Sequence, residues 1–439
     1  MSPNPRQLDY ELRSVRLPIE NLGQCAACHS EKTATSTLRL CSSCLQCAYC
    51  SLDCQKSDWP NHKGACKLTD CIELSTFYPL LACLASSAHV HSDKPMNPAI
   101  NHTILNSPNP GPSSSFSSSI APGNLIMLGP EIPMTEWGSP KWWPTALSPK
   151  VRSKLFRRLS SEGYNLQNLT AVCVALLAEM YTTTARVGER RRILRYRSSP
   201  IADFGIVRGA VEVQPQDTFS YMHLSDDGTP PRSWNGPDPK DHYWLYFRTT
   251  RGEEVTLDFA MYYYNFCYMV DSEPYQEPCS PPLSFVSAFF CDRPLDRNAP
   301  SLYTEKGRIS VLRNTVLHDA VAHTLHGLRP ANSNAIIEFM EGFSGKRSSA
   351  IERDLTLKWL MVNFQQLESA LRRQSWKRYP AQPPVGIEGD PGELDLSRMD
   401  NDDEWLQFFR RWKKQHKKSK PTKEDVAEAF KAWRSERKL

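Results

Sequence analysis

The sequence predicts a small irregular finger of short helices, closed by cysteine and histidine ligands. An α+β body with an antiparallel sheet and C-terminal helices follows it. Three observations lead there. Eight metal-type ligands fall in four matched pairs between Cys25 and Cys66. An alternating, aromatic-rich hairpin pattern runs from Tyr243 to Phe259. Apolar residues recur at helical spacing over long segments on both sides of that hairpin.

Residues 1–24 form an N-terminal arm. Met1 to Glu20 contains Arg6, Asp9, Glu11, Arg13 and Arg16 and no apolar core, so no signal peptide is expected. The finger occupies 25–66, with the pairs Cys25-x2-Cys28, Cys41-x2-Cys44, Cys50-x3-Cys54 and His62-x3-Cys66. Seven thiols and one imidazole complete two tetrahedral shells, the four-coordinate arrangement of structural zinc. Closed shells leave no position for water or substrate, so the two ions hold a fold and do no chemistry. Cys-x2-Cys pairs suit tight turns, whereas ligands four apart share one face of a helical turn. Ser51 and Asp53 mark one helix start. Ser57 and Asp58 mark another before Trp59 and Pro60, with the proline in a first turn. So short a segment cannot close an apolar core alone, so metal binding and folding are expected to be one event. Interleaved and sequential pairing both satisfy the spacing.

The run from Cys47 to Cys66 resembles a MYND-type zinc finger. It carries Tyr49-Cys50-Ser51 and Cys54-Gln55, then Asp58-Trp59 and His62-Lys63, and all eight ligand positions match. The resemblance implies a cross-braced topology, with Cys25, Cys28, Cys50 and Cys54 around one ion and Cys41, Cys44, His62 and Cys66 around the other. Cys47 has no place in that scheme. The family implies a protein-interaction module that docks short proline-containing peptides, with Gln55 and Trp59 at the matching contact positions. Trp59 has a second reading, as an aromatic packed against the second shell to buttress His62.

Of 14 cysteines, seven are ligands. The others, Cys47, Cys71, Cys83, Cys173, Cys267, Cys279 and Cys291, show no framework spacing. Thiolate ligands need a reducing environment, so an intracellular protein of the nucleus or cytoplasm is expected, with no membrane partner. Its longest apolar run, Phe77 to Ala85, is about half a bilayer span.

After the finger, 67–91 reads as an apolar helix, with Leu74, Phe77, Leu80, Leu81 and Leu84 at helical spacing. Residues 92–123, rich in Ser, Pro and Asn, read as a linker that buries too little to offset its ordering entropy. The α+β body spans 124–379. Asn165 to Tyr181 is a strong helix and Ile206 to Val213 a strand, while Tyr243 to Phe259 forms the hairpin. Helices return at Ile309 to Gly327, Asn334 to Gly342 and Ser349 to Arg378. Residues 380–404 read as an acidic Pro/Gly linker and 405–439 as a basic aromatic tail helix.

Two constellations in the body could carry chemistry. His242 opens the first hairpin strand and Asp258 ends the second, and Cys173 lies upstream on a helix. The local text resembles the His/Asp hairpin of transglutaminase-like and papain-type thiol enzymes, in which a thiol, an imidazole and a carboxylate cooperate. Cys173, however, sits inside an apolar helix rather than at a helix N-terminus, where its thiol would be activated. His318, His323 and His326 lie five and three apart, a poor match to one helical face, and read as surface or packing residues. The split methyltransferase domain that can carry such fingers would need more than the roughly two dozen residues before Cys25, and its cofactor motif is missing. No enzyme activity is therefore expected.

The tail from Trp405 holds 12 Lys or Arg against four acidic residues, a balance of +8 in a chain of net charge +5. Three roles suit it: import signal, patch for nucleic acid or anionic membrane, or solvated terminal helix. Trp405, Phe408, Phe409 and Trp412 fall at helical spacing. The reading that results is a zinc-binding adaptor whose finger captures a protein partner. Association with nucleic acid through the tail is the weaker alternative.

Overall fold

A computed structural model describes residues 13–20, 22–31, 38–106, 124–183, 190–214, 217–224, 230–278, 281, 283–292, 302–322, 329–388 and 403–416, with 422, 425, 428, 429 and 432. They fall into two compact units. One lies within Met1–Asn97, Ser160–Val213 and Pro237–Ile387, the other within Pro98–Leu159, Gln214–Gly236 and Glu388–Leu439.

The first unit opens with β1 (Ser14–Val15), which pairs antiparallel with β7 (Thr182–Thr183). The finger follows, with β2 (Arg39–Leu40) and β3 (Ala48–Tyr49) as an antiparallel pair and α1 (Leu52–Lys67) behind them. The main sheet runs β16 (Phe289–Cys291), β13 (Glu254–Asp258), β12 (His242–Thr249), β9 (Ser199–Val211), β8 (Arg191–Tyr196), β4 (Thr69–Glu73). A seventh strand, β17 (Tyr303–Ser310), also pairs with β9. A smaller sheet is ordered β15 (Phe285–Ser287), β14 (Tyr268–Asp271), β18 (Val385–Ile387). Five helices complete the unit: α2 (Leu74–His89), α4 (Asn165–Met180), α5 (Thr315–Ala322), α6 (Pro330–Ser344) and α7 (Ala350–Arg372).

One large apolar core joins α2, α4 and α7 to the main sheet. Helix α4 is buried at almost every position, so it is covered on all sides rather than amphipathic. Helix α7 begins with a complete capping box: Ser349 accepts from the Glu352 amide and the Glu352 carboxylate accepts from the Ser349 amide. Strand β9 is buried almost end to end rather than alternating, as a central strand covered on both faces must be. Its Gly205 and Gly209 admit β17. A Cβ at Gly205 would strike the Ile309 carbonyl and one at Gly209 the Thr304 carbonyl and the Trp244 ring.

The second unit holds a four-stranded sheet ordered β11 (Arg232–Asn235), β10 (Phe219–His223), β6 (Asn124–Glu131), β5 (His102–Ile104), with most of α3 (Pro149–Ser161). Trp142 and Trp143 are buried within it, and their indole N–H groups donate to the Ala99 and Asn106 carbonyls. In the tail, α8 (Asp403–Gln415) buries Phe408 and Trp412 against Ala429.

Several expectations change. The body's sheets are mixed, not antiparallel alone: β4 pairs parallel with β8, and β6 with β10. Both pairs are closed by long crossovers through helices, which permit parallel strands, and local alternation does not encode direction. Residues 69–73 form β4 rather than the start of a helix, because Asp70 and Ile72 alternate inward. Ile309 and Ser310 end β17, and the helix expected from Ile309 starts only at Thr315. Inside the expected linkers, Pro98–Ile100 forms a 3-10 turn ahead of β5, and β18 lies at 385–387. Residues 107–123 and 389–402 are outside the described residues. No helix among the described residues is long and apolar enough to cross a membrane.

Candidate metal centre

The eight predicted ligands converge as two groups. Cys25, Cys28, Cys50 and Cys54 form one, Cys41, Cys44, His62 and Cys66 the other, with all ligand atoms of a group within 4.8 Å of one another. The pairing is therefore interleaved, which spacing alone left open. Within the first group, the sulfurs of Cys28 and Cys50 are 3.6 Å apart and those of Cys50 and Cys54 3.5 Å. Within the second, Cys41 and Cys66 are 3.8 Å apart, and His62 Nε2 lies 3.4 Å from both Cys41 and Cys44. Ligands held at about 2.3 Å from one tetrahedral ion are about 3.7 Å from each other, so these are the edges of two zinc-sized tetrahedra.

Local structure explains the convergence. The Cys25 knuckle closes through the amide of Cys25 on the Ser30 carbonyl (3.0 Å), and the Ala26 amide ties it to β3 at the Ala48 carbonyl (2.8 Å). The Cys41 knuckle closes through the Leu45 amide on the Cys41 carbonyl, with Leu45 itself at φ 55°. Helix α1 starts at Ser51, whose Oγ accepts from the Cys54 amide at 3.1 Å. That single helix supplies Cys54 to the first group and His62 and Cys66 to the second, bracing the two shells together. Two helix starts had been expected. Instead Pro60 lies inside one continuous helix. Its missing N–H and ring clash cost about 3 kcal/mol, which the metal bonds on either side offset.

The donor chemistry fits a cation. Burial pushes the Cys25 thiol up, but the amides of Cys28, Cys50 and Ala27 outweigh it and bring it down to about 6, so a thiolate is favoured. Cys66 is pushed up to about 12, first by burial and then by the neighbouring Cys44 and Cys41 sulfurs, a crowding that a divalent ion would relieve. All four members of the second group are buried, whereas Cys28 of the first is exposed.

Sequence reasoning missed the contact that Cys47 makes. Its sulfur lies 3.3 Å from His62 Nδ1, the ring nitrogen that faces away from the cluster. A partner on the second nitrogen fixes the tautomer and the ring of a zinc-bound histidine. Such partners are worth 10–100-fold in metal affinity, so Cys47→Ala should weaken the second site by about that factor. Competition with a chromophoric chelator measures it. Trp59 packs edge-on to the same imidazole (6.0 Å between ring centres, 61°), while Tyr49 donates to Asp58 at 2.7 Å and also meets His62.

In the body, the structure brings His242 and Asp258 together. His242 Nε2 donates to Asp258 Oδ2 at 2.6 Å, both side chains almost wholly buried. The Tyr303 hydroxyl (3.0 Å) and the Ala260 amide (2.8 Å) also donate to Asp258. Cys173 does not join them. It is buried in α4, burial pushes its thiol well above the ordinary range, and no hydrogen bond links it to His242. His318 donates from Nε2 to the Leu312 carbonyl at 2.7 Å, while His323 and His326 lie outside the described residues.

Residues 25–66 match the family model of the MYND finger, a segment of about a tenth of the chain. No curated protein and no solved structure matches the chain. The two cross-braced sites of this finger fit two structural zinc ions.

Proposed function

We propose that the chain is an adaptor of the nucleus or cytoplasm whose MYND finger captures a short proline-containing segment of a partner protein. MYND fingers generally bind proteins. One observation on α1 carries the reading. Trp59 is 41% exposed although it abuts a zinc ligand, and Gln55 one turn earlier is half-buried beside it. Leu52, three residues before Gln55, is 66% exposed. At spacing i, i+3, i+7 these three side chains share one helix face and offer apolar surface around one amide. Leu52 was not among the residues read from the sequence. An exposed indole is a suitable platform for proline rings, and the amide of Gln55 suits a peptide carbonyl.

Trp59 then has both of its suggested roles, one edge against His62 and the remaining face outward. Titrating the intact zinc-loaded protein with proline-containing peptides, and with their Pro→Ala counterparts, tests this. Trp59→Ala and Gln55→Ala should each weaken capture by tenfold or more while both zinc ions are retained. Capture unchanged in both variants would refute the surface. We assign no chemistry to the body: the buried thiol of Cys173, remote from the His242–Asp258 pair in hydrogen bonding, supports leaving the thiol-enzyme reading aside.

A further inference from the structure

We infer that Cys44 and Cys47 form a thiol modification site, at which a peroxide closes a disulfide and removes one ligand from the second zinc shell. The run Cys41-x2-Cys44-x2-Cys47 places an additional sulfur beside that shell. Cys47 is not among the four ligands, yet its sulfur hydrogen-bonds with that of Cys44 and lies 3.3 Å from His62 Nδ1. It therefore touches two members of the shell without belonging to it.

Exposure and bonding single out Cys47 as the sulfur that reacts first. Cys41, Cys44, His62 and Cys66 are all buried, whereas Cys47 is half-buried. The three buried thiols are also those that an ion in the shell would hold, while the Cys47 thiol stays free of it. Redox-sensitive cysteines combine access with a neighbouring thiol that resolves the oxidised form. Two cysteines separated by two residues suit that exchange. Cys71, also beside the finger, is directed elsewhere: its thiol donates to the Ser43 carbonyl at 3.3 Å.

The chemistry balances with hydrogen peroxide as the oxidant. The Cys47 thiol attacks one peroxide oxygen, the O–O bond breaks, and a sulfenic acid and water form. The Cys44 thiolate then attacks the Cys47 sulfur, expelling hydroxide as the S–S bond closes. Across the two steps the sulfurs give up two electrons and the peroxide takes them. Cys41, His62 and Cys66 remain, so the second site loses its closed tetrahedron. Helix α1, which carries His62 and Cys66, loses part of its anchorage. The first shell contains neither cysteine of the disulfide and should keep its ion.

The test uses the full-length, zinc-loaded protein exposed to hydrogen peroxide in small molar excess. Native mass spectrometry counts the zinc ions, and peptide mapping without reductant locates the disulfide. The parent should fall from two zinc ions to one as a Cys44–Cys47 disulfide appears, and dithiothreitol with added zinc should restore both. Cys47→Ser should lose that ion about tenfold more slowly, its rate taken relative to the same variant without peroxide. Cys71→Ser should behave like the parent. A parent that keeps both ions and forms no disulfide would overturn the proposal. So would zinc loss with a disulfide between other ligands, such as Cys41 and Cys66, in place of the Cys44–Cys47 bond. Peroxide-dependent loss in Cys47→Ser at the parent's rate, or an equal slowing in Cys71→Ser, would overturn it as well.

Discussion

Removal of both zinc ions from the intact chain should unfold the finger and leave the body standing. Structural zinc contributes an apparent 10–16 kcal/mol per ion at neutral pH in small domains. Against that, the finger's own apolar cluster is small and made largely of its ligands: Cys25, Cys41, Cys44 and Cys66 with Leu38, Ala48 and Tyr49. The two shells should empty in order. Cys28 is exposed in the first, whereas every ligand of the second is buried, so a chelator should reach the first ion sooner. Hydrogen exchange reads the outcome. Amides of α1 and of both knuckles should lose protection, while α4 and α7, held by the large core, keep theirs. His62→Ala should empty the second site alone at first and destabilise α1 throughout, because that helix carries ligands of both shells.

The second large effect lies in the body. Asp258→Ala should destabilise the protein by about 3–5 kcal/mol, the usual consequence of removing one partner from a buried, hydrogen-bonded pair. Asp258 is wholly buried and accepts from His242, Tyr303 and the Ala260 amide. Its loss strands the His242 imidazole, packed against Trp244 and Tyr264, and the Tyr303 phenol without their common acceptor. For a unit of this size the melting midpoint should fall on the order of 10 °C. His242→Phe should cost less, since it removes one donor and fills the space with an apolar ring. A fall of under 1 kcal/mol in Asp258→Ala would mean that the pair is not a structural anchor, and would return attention to chemistry at this histidine.

The contrast between these two sites explains what could be read in advance. Eight ligands in four pairs dictate a metal site because only metal chemistry needs that residue set at that spacing. The pairing of shells did not follow from spacing, since it depends on where α1 runs relative to the knuckles. Strands were legible where alternation was local, as in the hairpin of β12 and β13. Strand β4 was not: its five residues precede an apolar helix without a break in composition, and its partner β8 is distant in sequence. Strand β17 was hidden in the same way, because its place beside β9 depends on two glycines far upstream. The surroundings of Cys47 and Leu52 also needed three dimensions: Cys47 meets a ring nitrogen fifteen residues away, and Leu52 lies exposed on one helix face.

Native mass spectrometry of the intact chain, beside Cys41→Ser/Cys44→Ser, tests the cross-braced two-zinc finger most directly. The parent protein should carry two zinc ions. The double variant, altered only in the buried second shell, should retain one, held by Cys25, Cys28, Cys50 and Cys54. Any count other than two in the parent protein would contradict the ligand assignment on which the proposed function rests.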